Sequence, residues 1–201
     1  MKNGLKPREL TLLGLLTALL IVMSCTPLGY LNIGPLAITF NVIPVAIAAI
    51  ALGPVGGAII GAVFGITSFL QAMGIGGVSS MGVITFEISP FLTFIQRFVT
   101  RVLVGLLTGL IYNGLRKTPI KNTSVFIAGF CAAFLNTLLF TGALFLLFGR
   151  TEYVQGLVAG RSIIVTLCTL VGINAVVEML ASTLISGVLG KGLQAAKMIG
   201  R

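Results

Sequence analysis

Three ionisable side chains stand inside apolar stretches of this 201-residue sequence. Arg97 and Arg101 are four residues apart and Glu178 follows Asn174 by four, so each pair shares one face of a helix. A guanidinium offers a fork of donors that suits a carboxylate. We therefore expect Arg97 to bind the anionic or polar end of a small ligand, with Gln96 pointing about 100° away. Arg101 and Glu178 either form an ion pair or line the pocket.

Neutral polar residues supply the remaining candidates for ligand binding. Asn136 lies near the middle of an apolar run and Asn174 one turn before Glu178. Tyr30 and Asn32 lie in a segment, residues 27–35, that is rich in Gly and Pro. That segment is either a plain connector or a lid over a pocket, because Gly and Pro supply hinges and fixed turns. We expect these four side chains to contact hydroxyl or amide groups of the ligand.

The residue inventory excludes most enzyme classes. The chain has no His and no Asp, and its four Glu and three Cys are widely separated. A Ser-His-Asp system or a clustered metal site therefore has no residues to build it. A phosphate-binding G-x-x-x-x-G-K-[ST] loop is absent from the sequence as well. We expect no catalytic residue, no metal and no cofactor, and we favour binding or transport.

Composition points to the lipid bilayer as the surroundings of this chain. Hydrophobic residues make up 57% and charged residues only 8%, against about 25% charged in soluble domains. A net charge of +9 would suggest nucleic acid in a soluble protein. Here the basic residues cluster at the ends of apolar segments, as topology determinants do. We therefore expect the chain to lie in the lipid bilayer and to bind no nucleic acid.

The apolar runs predict an all-α bundle of six transmembrane helices in one domain, residues 1–201. The expected segments are 9–25, 40–52, 55–73, 90–115, 124–148 and 161–189. The second is short for a span, which needs roughly 20 residues, and the first is expected to be a retained helix rather than a signal peptide. Six crossings with cytoplasmic termini place nine basic residues inside: Lys2, Lys6, Arg8, Arg116, Lys117, Lys121, Lys191, Lys197 and Arg201.

Small residues recur at four-residue spacing on three of these segments, including Gly105 and Gly109 on the fourth. Gly14 and Ala18 lie on the first, and Gly57 and Gly61 on the third. Such pairs let helix backbones approach closely. They serve either internal packing or docking against another membrane subunit, and the sequence leaves both open.

The chain resembles the substrate-binding S components of energy-coupling factor (ECF) vitamin transporters over nearly its whole length. The resemblance rests on L-T-L-L-G-L-L-T-A (10–18), T-P-L-G-Y-L-N-I-G-P (26–35), I-P-V-A-I (43–47), L-G-P-V-G-G-A (52–58) and G-I-T-S-F (65–69). Among the subtypes it looks most similar to the pantothenate-type members of lactic acid bacteria. Members for folate, pyridoxine and hydroxymethylpyrimidine share the scaffold.

The resemblance implies a six-helix bundle in the bacterial cell membrane that captures a vitamin from outside. Such a subunit has no ATPase and docks on a membrane coupling subunit with two ATPase subunits. Family members dock partly through A-x-x-x-A on the first helix, and the matching positions here are Gly14 and Ala18. The alternative to this function is a self-sufficient facilitator of small solutes, which would show polar stripes along a pore.

Overall fold

The computed structural model describes residues 7–26, 29–32, 37–77, 79–158 and 163–196, with the side chains of 31, 32, 37, 38, 163–171 and 173 excepted. The described chain is helical apart from one hairpin of two short strands. The elements are α1 (Pro7–Ser24), β1 (Tyr30–Asn32), β2 (Ala37–Thr39), α2 (Val42–Ala72), α3 (Ser80–Ile88), α4 (Pro90–Phe94), a π-helical turn (Ile95–Val99), α5 (Thr100–Leu115), α6 (Ser124–Phe148), α7 (Glu152–Val158) and α8 (Ile163–Ala195).

The long helix α2 is two segments that fold back on each other at Gly53. Gly53 has φ 74° and ψ −166°, outside the helical region, and Pro54 follows it. A straight helix of 31 residues would be about 46 Å long. Yet Asn41, just before α2, and Gln71, near its end, both hydrogen-bond to Ser24, at 3.2 and 2.6 Å. The two ends of α2 therefore lie at the same level of the bundle, as the predicted Gly-Pro break requires.

The first half of α2 is the centre of the bundle. Residues 42–50 are all buried, and most of those up to Ala48 form the main apolar cluster with parts of α1, α5 and α6. A helix that is apolar all round is expected in such a position. The short second segment of the sequence analysis is therefore a central helix, enclosed by the others.

The second half of α2 packs tightly against α5 through glycines. A Cβ on Gly57 would lie 2.4 Å from the carbonyl oxygen of Gly105, and one on Gly61 would lie 2.3 Å from that of Arg101. Only glycine allows backbones to approach this closely. The structure therefore places Gly57 and Gly61 in an internal contact, and the prediction that they dock a partner is not carried further.

The chain before α2 contains two short antiparallel strands, which we call the hairpin. Tyr30 pairs with Thr39, Leu31 with Ile38 and Asn32 with Ala37. The sequence analysis predicted no strand here, because local Gly and Pro signals do not report the pairing of residues that are separated along the chain.

The chain between α2 and α4 turns and then forms a short helix. Three glycines with positive φ, Gly74, Gly76 and Gly77, turn the chain after α2. Ser79 then caps α3 by accepting a hydrogen bond from the backbone N–H of Gly82 at 3.2 Å. The sequence analysis missed α3 because this helix has only nine residues and follows a glycine-rich run.

Five described helices are long and apolar enough to cross a membrane: Pro7–Ser24, Val42–Ala72, Pro90–Leu115, Ser124–Phe148 and Asn174–Ala195. Their bounds agree with the predicted segments to within two residues in three cases. The predicted second and third segments are the two halves of α2, and α8 ends at Ala195, six residues beyond the predicted end of the sixth segment. The described chain is thus a predominantly helical bundle with several helices that could cross a membrane.

Candidate ligand-binding site

Arg97 is buried and its guanidinium is fixed by two serines from neighbouring elements. Nη1 donates to the carbonyl oxygen and to Oγ of Ser68, at 2.9 and 2.8 Å, and Nη2 donates to Oγ of Ser79 at 3.1 Å. A Cβ on residue 82 would lie 2.6 Å from Nη2, so Gly82 leaves the room that the guanidinium needs. The sequence analysis predicted the inward direction of Arg97 but not Ser68 and Ser79, which lie 29 and 18 positions away.

Arg101 is equally buried but is held by aromatic rings. Its guanidinium carbon lies 4.7 Å from the ring centroid of Phe64 and 4.4 Å from that of Phe140. Contacts at these distances are favourable cation–π interactions. Nε and Nη1 of Arg101 have no hydrogen-bond partner in the described part of the chain. Phe140 also lies 5.8 Å from the guanidinium of Arg97, so both arginines face one interior space.

Glu178 lies on the other side of this space, on α8. Its Oε1 accepts a hydrogen bond from the backbone N–H of Thr39 at 2.7 Å, and its Oε2 accepts one from Nδ2 of Asn136 at 3.5 Å. Glu178 and Arg101 interact electrostatically, but no nitrogen–oxygen contact within 4.0 Å joins these two described side chains. The sequence analysis left open whether Arg101 and Glu178 form an ion pair or line a pocket. The structure favours the second alternative, in which both side chains line one interior space.

Tyr30 brings the hairpin to the arginines. Its hydroxyl is buried and has no hydrogen-bond partner among the described residues. Burial raises the pKa of the Tyr30 phenol, while the side chain of Asn41 and the charges of Arg101 and Arg97 act in the opposite direction. The phenol therefore stays neutral at physiological pH and keeps its proton for donation.

The π-helical turn places two adjacent polar side chains inside the bundle. Gln96 and Arg97 both lie in this turn and are 0% and 3% exposed. The expected angle of about 100° between Gln96 and Arg97 did not indicate that Gln96 is buried as well. Both polar atoms of the Gln96 side chain lack a partner in the described chain. A π-helical turn inside an α-helix is frequently found at a functional site.

Most buried polar atoms without a partner in the described chain belong to the arginines, to residues within one turn of Arg97, or to residues that interact with Tyr30 or Glu178. In folded proteins at least about nine-tenths of such atoms are hydrogen-bonded, and an unpaired one costs roughly 1–3 kcal/mol. The hydroxyl oxygens of Thr108 and Ser186 are also buried without a partner among the described residues. Thr108 neighbours Gly109, which packs on Gly53. The other buried polar atoms with no partner among the described residues are Tyr30 Oη, Thr39 Oγ1, Asn41 Oδ1, Thr93 Oγ1, Gln96 Oε1 and Nε2, Arg97 Nε, Arg101 Nε and Nη1, and Asn136 Oδ1.

This set contains both donors and acceptors, on the hairpin, on α4 to α5 and on α6. Asn136, predicted from sequence, is 3% exposed and belongs to it. Asn174 is half-buried on α8, one turn from Glu178. The side chain of Asn32 lies outside the described residues. Gln96, Asn41 and Thr39 were missed, although an amide in an apolar run is a signal that sequence reasoning can use.

The remaining predicted residues lie on α1, far along the chain from this site. Gly14 and Ala18 are exposed, and a Cβ on Gly14 would meet nothing within 4 Å. On this helix the small-residue pair is not used for packing within the described chain.

Fold and site together define a multi-pass membrane protein with a buried polar site. The chain belongs to the family of ECF transporter substrate-specific components, whose sequence profile matches residues 8–190. No match is found among curated protein sequences. Membership confirms the resemblance at the family level: the chain is a substrate-capturing subunit of an ECF importer, which associates with coupling and ATPase subunits. The family is one of transporter components and not of enzymes.

Proposed function

We propose that this chain captures pantothenate at the outer face of the bacterial cell membrane and delivers it to an ATP-driven ECF module. The observation that carries the proposal is the set of unpaired buried polar atoms around Arg97 and Arg101. Pantothenate has one carboxylate, two hydroxyls and one amide. Its groups supply acceptors for guanidinium donors, and its hydroxyls and amide complement side chains such as Asn136 and Gln96.

The charges that face each other favour a ligand with one negative charge. Two guanidinium groups, of Arg97 and Arg101, oppose one carboxylate, of Glu178, which leaves an excess of one positive charge. A buried charge is costly unless it is paired. Pantothenate carries one carboxylate, whereas folate carries two and pyridoxine and hydroxymethylpyrimidine carry none. Charge balance therefore supports pantothenate over the other vitamins considered.

The free donors assign the carboxylate to the space between the two arginines. In the described chain, Nε of Arg97 and both Nε and Nη1 of Arg101 have no hydrogen-bond partner. Hydrogen bonds from such charged donors to a carboxylate are strong. Arg101 has more of these donors, so we assign it the main contact with the carboxylate and Arg97 a further single bond. Tyr30, Asn32, Asn136 and Asn174 remain the candidates for the hydroxyl and amide groups.

Six membrane crossings with cytoplasmic termini remain our proposal for topology. The return of α2 to the level of Ser24 supports it, because each half of α2 then counts as one passage. Gly53 lies near Gly109 and Asn113, close to the basic residues that follow α5. The rule that basic loops stay in the cytoplasm puts that end inside and the hairpin outside.

Docking through the exposed face of α1 remains our proposal for the partner contact. Gly14 and Ala18 are exposed on this face, together with the large apolar side chains Leu15, Leu19 and Val22. Small residues flanked by apolar ones permit close helix–helix approach in a membrane.

The test of the proposed function is a competition among vitamins for the purified chain. Calorimetric titration in detergent with pantothenate, folate, pyridoxine and hydroxymethylpyrimidine should show saturable binding of pantothenate alone. Mass spectrometry of small molecules that co-purify from medium with mixed vitamins should find the same compound. Tight binding of a neutral vitamin, with none of pantothenate, would overturn the assignment.

A further inference from the structure

One backbone donor of the hairpin faces away from its partner strand. Phe40 donates its N–H to the carbonyl oxygen of Gly29 at 3.0 Å, the bond that flanks the Tyr30–Thr39 pair. In an antiparallel ladder this pattern makes Tyr30 and Thr39 a non-hydrogen-bonded pair. The N–H of Thr39 therefore points outward, to the open edge of β2.

Glu178 accepts that outward N–H. Its Oε1 lies 2.7 Å from the Thr39 nitrogen, across 139 positions of sequence, and the bond is buried. A hydrogen bond to an ionised acceptor is shorter and stronger than a neutral one. The second carboxylate oxygen is held by Asn136 of α6, so the carboxylate is anchored on the bundle side and reaches toward the strand.

The hairpin depends on contacts of this kind. Each strand has three residues, and an isolated two-stranded hairpin is marginally stable at best. Contacts with the rest of the chain must therefore hold it where Tyr30 interacts with the arginines. Side chains of a non-hydrogen-bonded pair lie close together, so whatever fixes Thr39 also fixes Tyr30, whose hydroxyl is within the field of Arg97 and Arg101.

We infer that Glu178 is a positioning residue that holds β2 through the Thr39 N–H and thereby places Tyr30 over the arginine pair. The sequence analysis left two roles open for Glu178, an ion pair with Arg101 or lining of the pocket. The structure assigns it a more specific task, the link between α8 and the hairpin. The effect of Glu178 on ligand binding rests on the proposed function. The hydrogen bond by which Glu178 holds the hairpin does not.

Variants of Glu178 separate the acceptor from the charge. Glu178→Gln keeps an oxygen at the same reach and removes the charge. Glu178→Asp keeps the charge and draws the oxygens back by one methylene. Glu178→Ala removes both. Ser182→Ala is the matched control, because Ser182 is also buried on α8 but donates to the carbonyl oxygen of Gly129 at 2.8 Å, away from the hairpin.

The measurement is hydrogen–deuterium exchange of the peptide that covers residues 37–41, on the full chain without ligand. We expect exchange in Glu178→Ala and Glu178→Asp to be about tenfold faster than in the wild type, the scale of one lost hydrogen bond to a charged group. Glu178→Gln should stay within about threefold, because a neutral acceptor retains part of the bond. Ser182→Ala should match the wild type in this peptide.

Two results would overturn the inference: unchanged exchange in Glu178→Asp, or equally fast exchange in Glu178→Gln and Glu178→Asp. If Glu178→Ala does not fold, the Gln and Asp variants still decide. A second arm titrates pantothenate and should show weaker binding in Glu178→Asp than in Glu178→Gln. If the wild type does not bind pantothenate, the proposed function fails while the exchange experiment still gives its answer.

Discussion

Arg97 and Arg101 lie on the same buried face of one helix, yet their guanidinium groups are held in different ways. Arg97 donates three hydrogen bonds to Ser68 and Ser79. Arg101 is packed between Phe64 and Phe140, and its Nε and Nη1 have no hydrogen-bond partner among the described residues. One arginine is thus tied to the scaffold by hydrogen bonds, and the other is held mainly by aromatic rings.

Replacing Arg101 should weaken ligand binding with little loss of stability. We expect Arg101→Ala to weaken pantothenate binding about 10- to 150-fold, the equivalent of 1.5–3 kcal/mol for a hydrogen bond to a charged group. Arg101→Lys should recover only part, because an ammonium cannot form the planar fork. Calorimetric titration in detergent measures both. Wild-type affinity in a folded Arg101→Ala protein would remove Arg101 from the site.

Replacing Arg97 should affect binding and stability together. Arg97→Ala removes the Nε donor and also leaves Oγ of Ser68 without its guanidinium partner. A buried polar group left unpaired costs roughly 1–3 kcal/mol, so the thermal midpoint should fall as well as the affinity. Arg97→Lys should bind better than Arg97→Ala. If Arg97→Ala melts like the wild type, the serines do not hold the guanidinium as described.

The sequence predicted the parts of this site that depend on local spacing. The four-residue interval puts Arg97 and Arg101 on one face, and Gly53-Pro54 predicts the break at which α2 reverses. Both effects act within one or two turns of chain. The apolar runs likewise predicted α4 to α5 and α6 with their observed ends.

The remaining parts depend on contacts between distant segments. Whether Glu178 meets Arg101 or Thr39 is decided by how α8 packs on the hairpin, which periodicity does not report. The pair Gly57 and Gly61 has the same spacing as the pair Gly14 and Ala18. The first pair packs against α5, whereas an added Cβ at Gly14 would meet nothing within 4 Å. Small residues permit close approach and carry no information about which helix approaches.

Cysteine labelling tests the six-crossing topology. In a background with Cys25, Cys131 and Cys168 replaced by Ala, Glu152→Cys should react with an impermeant reagent added to intact cells. Pro119→Cys should react only after the membrane is opened, because the loop after α5 is basic. Both positions are exposed in the fold, so accessibility within the protein does not confound the comparison. Labelling of position 119 alone in intact cells would contradict the topology.

Bulky substitutions on α1 test the docking face. Gly14→Leu and Ala18→Leu should block close approach of a partner helix and reduce co-purification of the coupling subunit. Pantothenate binding by the lone chain should survive, since both positions are exposed. Gly142→Leu is the matched control, because Gly142 is also an exposed helical glycine at which an added Cβ would meet nothing within 4 Å. Loss of binding and docking together would assign the pair to internal packing.

Transport by the isolated chain is the observation that separates a capturing subunit from a facilitator. The sequence has no G-x-x-x-x-G-K-[ST] loop, so the chain has no such route to ATP hydrolysis. Binding alone, however tight, supplies no work to move a solute against its gradient. Uptake of radiolabelled pantothenate into vesicles that contain only this chain should therefore be negligible.

The same vesicles with the coupling subunit, both ATPase subunits and ATP on the cytoplasmic side should accumulate pantothenate. Arg101→Ala in the full complex should lower uptake at limiting pantothenate by reducing occupancy of the site, whereas Gly14→Leu should lower it at all concentrations by reducing assembly. The two variants thus divide capture from coupling in one assay. Robust uptake by the chain alone, without partner or nucleotide, would favour a facilitator. Saturation of that uptake with rising pantothenate concentration would then show whether pantothenate passes through the arginine site.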